Sequence, residues 1–211
     1  MKKKIFLSLL VLLVFCSCSY GEISKEIVEA AWKRIAETDG FEVVKINYEK
    51  DDSPNAWVKF KSQKDFSVHV TQGLMKILDT EEQIAGVLGH EIGHVKLGHY
   101  NKGVGRNVFW SILSLGLSHV SGTAGKVAQA AGSVGMNLAE SGFSRGQEVE
   151  ADDYGTALLK KAGYDPYGLY RAMKAFADNK YVTQPNGFNS HPPTARRLKH
   201  LMDKAKELKG K

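Results

Sequence analysis

One helical segment constrains the fold of this 211-residue chain more than any other part of its sequence. Thr80 is suited to cap a helix N-terminus, and Gln83 three residues later completes the pattern of a capping box. Apolar residues then recur at helical spacing, which predicts a helix that runs to about His99 and buries one face. Those residues are Ile84, Val87, Leu88, Ile92, Val95 and Leu97.

The predicted helix carries the segment His90-Glu91-Ile92-Gly93-His94. Its two histidines are four residues apart, so they project from the same face, one turn apart. That separation lets two ring nitrogens bind one Zn²⁺ ion, and Glu91 could take a proton from a water bound to that ion. A chance match on a solvated helix is the alternative. The coherent apolar face and the scarcity of histidine, with seven in the chain, weigh against it.

A catalytic zinc ion needs a third protein ligand. Both cysteines lie within the first 18 residues, so the ligand should be a histidine or a carboxylate. A second long helix is predicted from Arg145 to near Gly163, and Glu148 and Asp152 share one of its faces while Glu150 points elsewhere. One carboxylate could bind the metal and the other could orient a ligand histidine. Alternatively, these acids only complement the helix dipole.

The rest of the sequence alternates between helical and extended patterns. Helices are predicted at 24–37, 167–178 and the C-terminus, and strands at 41–48, 56–61 and 66–71. Residues 103–143 are rich in Gly, Ser and Ala. We favour a lid or insertion there over a membrane-contacting element, and its apolar patch is too short to span a bilayer.

The N-terminus has the pattern of a secretory signal, with residues 2–4 basic and residues 5–15 apolar. An uncleaved membrane anchor is the alternative interpretation. Cys18 follows a small residue and resembles the lipid attachment site of bacterial lipoproteins, which implies a signal peptide at 1–17 and a membrane anchor through an N-terminal lipid. Ser19 follows Cys18, and by resemblance to the sorting rules of bacterial lipoproteins the lack of an aspartate at this position favours the outer membrane, if the organism has one.

The net charge of +6 does not indicate a nucleic-acid partner. Three of the positive charges lie in the leader, and its removal leaves +3 without a long run of Lys and Arg. A weakly basic body of this kind lacks the electrostatic footprint of nucleic-acid binding. We therefore expect no nucleic acid among the partners.

Three motifs together, His90–His94, Ser144-Arg145 and Glu148–Asp152, resemble the M48 family of gluzincin zinc metallopeptidases, in its bacterial periplasmic and lipoprotein branch. The resemblance covers roughly residues 25–205. It implies an α+β fold: a mostly helical, zincin-type single domain at 18–211. A small mixed β-sheet would have its edge strand flanking the active-site helix.

The resemblance also implies the composition of the site. His90, His94 and Glu148 would be the ligands of one Zn²⁺ ion per chain. Glu91 would be the general base that activates water for attack on a peptide bond. The cofactor expected from this likeness is therefore zinc, held by two histidines and one glutamate.

Further residues would support this centre. Asp152 would hold a ligand histidine from behind, and Arg145 belongs to the same supporting motif. His191-Pro192 with Arg196 resembles a late family motif whose histidine points toward the metal, where it could contact substrate, stabilise an oxyanion or block the metal. The stretch 68–74 falls where the family keeps its substrate-pairing edge strand. The other histidines are expected to be structural: His69, His99, His119 and His200.

The leading functional hypothesis is a zinc endopeptidase of the bacterial cell envelope, periplasmic and lipid-anchored to the outer membrane. Its substrates would be unfolded or misassembled envelope proteins, and its role envelope protein quality control. A second hypothesis is an envelope assembly or chaperone-like factor that retains a structural or regulatory zinc site. A small-molecule zinc hydrolase is a third.

Overall fold

The computed structural model describes residues 22–62, 64–100, 143–179, 191 and 193–210. Several sequence-based expectations lie outside these residues: the signal peptide at 1–17, Cys18, His119, Pro192 and all of the insertion except Phe143.

The described helices and strands, in chain order, are α1 Lys25–Asp39, β1 Ile46–Glu49, β2 Ala56–Ser62, β3 Asp65–Thr71, α2 Gln72–Ile77, α3 Glu81–Lys96, α4 Arg145–Lys161, α5 Gly168–Asp178 and α6 Ala195–Lys209. The predicted α+β class, mostly helical with a small mixed sheet, is confirmed. No helix in these ranges has both the length and the apolar character needed to cross a membrane.

The sheet has the order β1-β3-β2, so β3 is its central strand. Val68 of β3 pairs with Ile46 of the parallel strand β1 and with Val58 of the antiparallel strand β2. The prediction that 68–74 forms an edge strand is therefore wrong, because both sides of β3 are paired. Its last residue, Thr71, caps α2 by accepting a hydrogen bond from a backbone amide of that helix. The edge strand that contacts α3 is β2.

The first strand is shorter than the predicted 41–48, since it begins at Ile46. The Phe41 amide bonds back to the last turn of α1, at 2.9 Å. The indole of Trp32 in α1 donates to the Val44 carbonyl, also at 2.9 Å. Residues 41–44 are therefore hydrogen-bonded to α1, and β1 begins only at Ile46, where β3 provides a pairing strand.

Helix α3 lies in the core and has the capping box that the sequence predicts, formed by Thr80 and Gln83. It ends at Lys96, earlier than the predicted His99, because Gly98 adopts φ = +67°, a left-handed conformation that glycine tolerates. His99 lies just beyond this turn and is fully buried. The residues that carry the site thus come from the helix and from the turn that follows it.

Helices α3 and α4 approach each other backbone to backbone, and glycines make this possible. A Cβ atom on Gly155 would lie 2.8 Å from the backbone nitrogen of His90. A Cβ atom on Gly93 would lie 3.1 Å from the Ala151 carbonyl oxygen. The contact therefore occurs where α3 carries its histidines, and it brings the acids of α4 within reach of them.

We predict that Gly155→Ala destabilises the protein, because the added methyl group forces α4 away from His90. The expected loss in free energy of unfolding is about 1–3 kcal/mol, typical of overpacking. Urea denaturation measures it. Gly146→Ala on the same helix is the matched control, since its Cβ would meet nothing within 4 Å and should leave stability equal or higher. Equal stability of the two variants would contradict the close contact.

Candidate metal centre

His90 and His94 lie on the buried face of α3, one turn apart as predicted. Both side chains are fully buried, and their Nε2 atoms are 3.1 Å apart. Two ring nitrogens at this distance repel each other unless a proton or a cation lies between them. The pair is therefore arranged to share a positively charged partner.

Glu148, in the first turn of α4, brings a carboxylate to the same point. Its Oε1 lies 3.4 Å from His94 Nε2 and its Oε2 lies 3.6 Å from His90 Nε2. His191 adds a third ring, with Nδ1 2.9 Å from Glu148 Oε1 and 3.1 Å from His90 Nε2. The ligand atoms of these four buried residues all lie within 4.8 Å of one another. The described chain thus holds a cluster able to bind a metal ion.

The electrostatics of the cluster favour a ligand set ready for a cation. Burial lowers the pKa of His94 to about 2, so the ring is neutral and can offer a lone pair. Burial acts to raise the pKa of Glu148, but the contacts of its carboxylate with His191 and His94 outweigh it, and that pKa is lowered overall. The site therefore combines a neutral imidazole with an ionised carboxylate.

Glu91 lies beside the cluster but is not part of it. Both carboxylate oxygens are buried and make no hydrogen bond of good geometry within the residues that the structure describes, although the Tyr100 hydroxyl interacts with the carboxylate. The nearest ion-pair partner is His191 Nε2, 3.5 Å from Oε1, and burial raises the pKa of Glu91. Buried carboxylates are rarely left in this state unless a site uses them. Two histidine nitrogens, a glutamate oxygen and an adjacent buried carboxylate fit a zinc centre.

Asp152 and Arg197 hold the ligands from behind. Asp152 Oδ1 lies 3.0 Å from His90 Nδ1, on the side of the ring away from the cluster. The Arg197 guanidinium donates to both oxygens of Asp152, at 2.8 and 2.7 Å, and lies 2.7 Å from Glu148 Oε2. Burial acts to raise the pKa of Asp152, but the hydrogen bonds from Arg197 and the nearby His90 ring lower it overall. One arginine of α6 therefore fixes two carboxylates of α4.

Comparison with known proteins identifies the family. The model of peptidase family M48 matches residues 21–205, most of the chain. This chain belongs to peptidase family M48. The resemblance drawn from the sequence motifs is confirmed.

Curated relatives of this M48 chain include three named proteases. It is 35% identical to Metalloprotease LoiP of Escherichia coli (strain K12) over 138 residues, which are 65% of this chain and 54% of that protein. It is 31% identical to Metalloprotease YcaL of the same strain over 191 residues, 89% of this chain and 71% of that protein. It is 29% identical to Beta-barrel assembly-enhancing protease of Yersinia pestis over 171 residues, 75% of this chain and 34% of that protein. The chain thus spans 54% of the length of the first relative and 34% of the third.

Two other arginines, Arg145 and Arg196, belong to the motifs on which the family resemblance rests, and both lie at the surface. Arg145 is exposed in the first turn of α4, and Arg196 is exposed at the start of α6. Arg197, one residue further along, is turned about 100° around the helix from Arg196 and reaches the acids. The sequence does contain a signal for it: Arg197 shares a buried stripe of α6 with Leu201 and Ala205, at spacings of four residues.

Phe143 and His99 are further neighbours of the centre that the sequence did not indicate. The Phe143 ring stacks on His94 with centroids 3.8 Å apart, and it lies 5.3 Å from the His191 ring. His99, expected to be structural, contacts His94 through ring nitrogens 2.9 Å apart. The candidate metal ligands His94 and His191 are therefore packed among aromatic rings. A dry, closely packed surrounding strengthens the electrostatic interactions of the ligands.

Replacement of Arg197 tests its role behind the ligands. Arg197→Met should lower the free energy of unfolding by about 3–5 kcal/mol, because it leaves two buried carboxylates without their cation. Arg197→Lys should restore only part of this loss, since an ammonium group cannot form the same fork of hydrogen bonds. Chemical denaturation measures both. Arg196→Met is the matched control and should stay within about 0.5 kcal/mol of wild type; an equal loss there would refute the assignment to Arg197.

Proposed function

We propose that this M48 chain is a zinc-dependent endopeptidase of the bacterial cell envelope that hydrolyses unfolded or misassembled envelope proteins. The observation that carries the proposal is the convergence of His90, His94 and Glu148 beside the buried carboxylate of Glu91. The names of the relatives support proteolysis, and one of them refers to the assembly of β-barrels. Envelope protein quality control is the role that these points favour.

The residues of the centre divide the chemistry among them. His90, His94 and Glu148 would hold the zinc ion, which would polarise a peptide carbonyl and lower the pKa of water. Glu91 takes a proton from the attacking water and returns it to the leaving amine. A carboxylate whose pKa burial has raised suits both transfers near neutral pH. His191, 3.5 Å from Glu91, is placed to donate a hydrogen bond to the substrate oxygen as it becomes negative.

The substrate strand would add to β2, not to residues 68–74. Within the described part of the chain, β2 is paired on one side only, by β3, and it contacts α3, which carries the catalytic segment. An extended peptide can continue a sheet at such an edge through main-chain hydrogen bonds. This mode of binding requires an extended substrate segment, which unfolded or misassembled proteins offer and folded ones do not.

The proposed location depends on the leader. A signal peptide at 1–17 would export the chain, and acylation of Cys18 would anchor it to the outer membrane with the catalytic domain in the periplasm. The basic and apolar segments of the leader and the small residue before Cys18 support this location.

One observation favours the second function, an envelope assembly or chaperone-like factor that retains zinc for structure or regulation. His191 joins the other three ligands, so four protein donors converge. Four protein ligands are typical of structural zinc sites, whereas catalytic sites keep one position open. In that case His191 would block the metal, and Glu91 would have no proton to transfer.

The substitution Glu91→Gln separates the two functions. We expect purified wild-type protein to contain one zinc ion per chain and to cleave unfolded casein. The variant should keep its zinc but lose cleavage by at least about a hundredfold, because an amide cannot accept the proton. Elemental analysis and a fluorescent casein assay measure these two properties, and a zinc chelator should abolish wild-type cleavage.

Glu82→Gln is the matched control, since it changes a carboxylate of the same helix well away from the cluster. It should retain zinc and activity. If Glu91→Gln cleaved casein as well as wild type, the assignment of the base would fail. If it cleaved nothing but complemented a deletion strain fully, the non-proteolytic function would be favoured.

Lipid attachment is tested at the two cysteines, Cys16 and Cys18. Cys18→Ser should abolish incorporation of radioactive palmitate and release the protein from the membrane fraction, because the thiol is the acceptor of the lipid. Cys16→Ser should leave both unchanged. Palmitate labelling of Cys18→Ser at the wild-type level would overturn the anchor.

A further inference from the structure

The side of His94 that faces away from the cluster leads into a second chain of contacts. His94 Nδ1 lies 2.9 Å from His99 Nδ1, and His99 Nε2 lies 3.0 Å from Glu150 Oε2. His99 is fully buried, whereas the Glu150 side chain is 56% exposed. The three residues therefore connect a buried metal ligand to the surface of α4.

The two ligand histidines of α3 are supported in different ways. His90 Nδ1 faces the carboxylate of Asp152, which can only accept a hydrogen bond when ionised. His94 Nδ1 faces another imidazole, which can either donate or accept, depending on its tautomer. The support of His94 is thus ambiguous unless a further group decides where the proton of His99 lies.

Glu150 removes that ambiguity. An ionised carboxylate accepts the proton of His99 Nε2, so His99 Nδ1 is left with a lone pair. His94 Nδ1 must then carry a proton to donate across the 2.9 Å contact, and His94 Nε2 is left free. The opposite tautomer of His99 would set two N–H groups against each other, or would place the His94 proton on Nε2, where the metal must bind.

We propose that His99 and Glu150 are positioning residues that set the tautomer of His94 and so leave its Nε2 free to bind zinc. The inference rests on the zinc centre put forward under the proposed function and adds two residues to it. The same stretch of α4 then supplies the ligand Glu148, the terminal acceptor Glu150 and the carboxylate Asp152 that supports His90.

The position of His99 is itself fixed by the start of α4. Gln147, the residue of the α4 capping box, donates from its side chain to the His99 carbonyl at 3.5 Å. The Phe143 ring packs against both His94 and His99. These contacts fix the positions of the His94 and His99 rings. Removal of the Glu150 carboxylate should therefore change where the proton of His99 lies without displacing the rings.

Zinc affinity tests the inference, measured by competition with a chromogenic chelator on the full mature chain. His99→Phe keeps an aromatic ring but cannot accept the proton, and it should weaken zinc binding about 10- to 100-fold, as loss of a hydrogen-bonding partner of a ligand does elsewhere. Glu150→Ala should cause a smaller loss. Glu150→Gln should recover part of that loss, because its amide oxygen still accepts from His99.

Asp153→Ala is the matched control on the same helix. Asp153 also pairs with a histidine, His200, at 2.8 Å, but that pair is partly exposed. The Asp153→Ala variant should bind zinc like wild type. Thermal unfolding of the metal-free variants should show that all of them fold. Equal zinc affinity of Glu150→Ala, His99→Phe and Asp153→Ala would overturn the inference.

A spectroscopic readout distinguishes tautomer control from a merely structural role. In the zinc-loaded protein, ¹⁵N NMR of the imidazoles should show the proton of His99 on Nε2 and that of His94 on Nδ1. In Glu150→Ala the His99 signals should shift toward a mixture of tautomers. A His99 proton on Nδ1 in the wild type would refute the proposal, whereas failure of the wild type to bind zinc at all would refute the zinc centre instead.

Discussion

The backbone contact between α3 and α4 sets the distances on which the rest of the site depends. Gly89 and Gly155 meet there without side chains between them, so the two helices lie closer than ordinary side chains allow. Short carboxylate side chains near the start of α4 can then reach histidines on α3. The site is therefore a consequence of helix packing, and the small β-sheet contributes the edge strand β2 that flanks α3.

Such close packing buries charge, and the structure compensates for it by pairing. Removal of a carboxylate from water costs several kcal/mol unless its hydrogen bonds are replaced. Arg197 of α6 donates two hydrogen bonds to Asp152 and forms an ion pair with Glu148, so one cation compensates both carboxylates. It thereby links the C-terminal helix to the centre, so α6 has a role in the site although it provides no metal ligand.

Much of the site was predictable from sequence because it follows helical periodicity. The spacing of His90 and His94 and the shared face of Glu148 and Asp152 depend only on 3.6 residues per turn, and the structure keeps both. His191 was indicated by resemblance alone. It is 43 residues from Glu148 along the chain, and local spacing says nothing about contacts at that separation.

The errors of the sequence-based view share a physical origin, since each concerns a choice of partner. The order β1-β3-β2 depends on which strands pair, and the alternation of residues 66–71 is the same in a central and in an edge strand. The motif around His191 includes Arg196, whereas Arg197, one position and about 100° further around the helix, reaches the acids; the buried stripe that Arg197 shares with Leu201 and Ala205 distinguishes the two. The sequence predicts only a structural role for His99, because its partner, Glu150, points away from the metal face of α4.

The balance of charge at the centre supports a divalent cation independently of any motif. Glu91, Glu148 and Asp152 are buried carboxylates. Among the described residues, the permanently charged cation at the centre is Arg197, which contacts Glu148 and Asp152. If all three carboxylates are ionised, negative charges exceed positive ones by two. Protonation of His191 supplies part of the missing positive charge, because burial acts to lower its pKa but Glu91 and Glu148 outweigh burial and raise that pKa overall. Burial lowers the pKa of His94 and opposes protonation of that ring. A divalent ion bound by His90, His94 and Glu148 neutralises the centre without protonating its ligands, which leaves the carboxylate of Glu91 ionised and able to accept a proton.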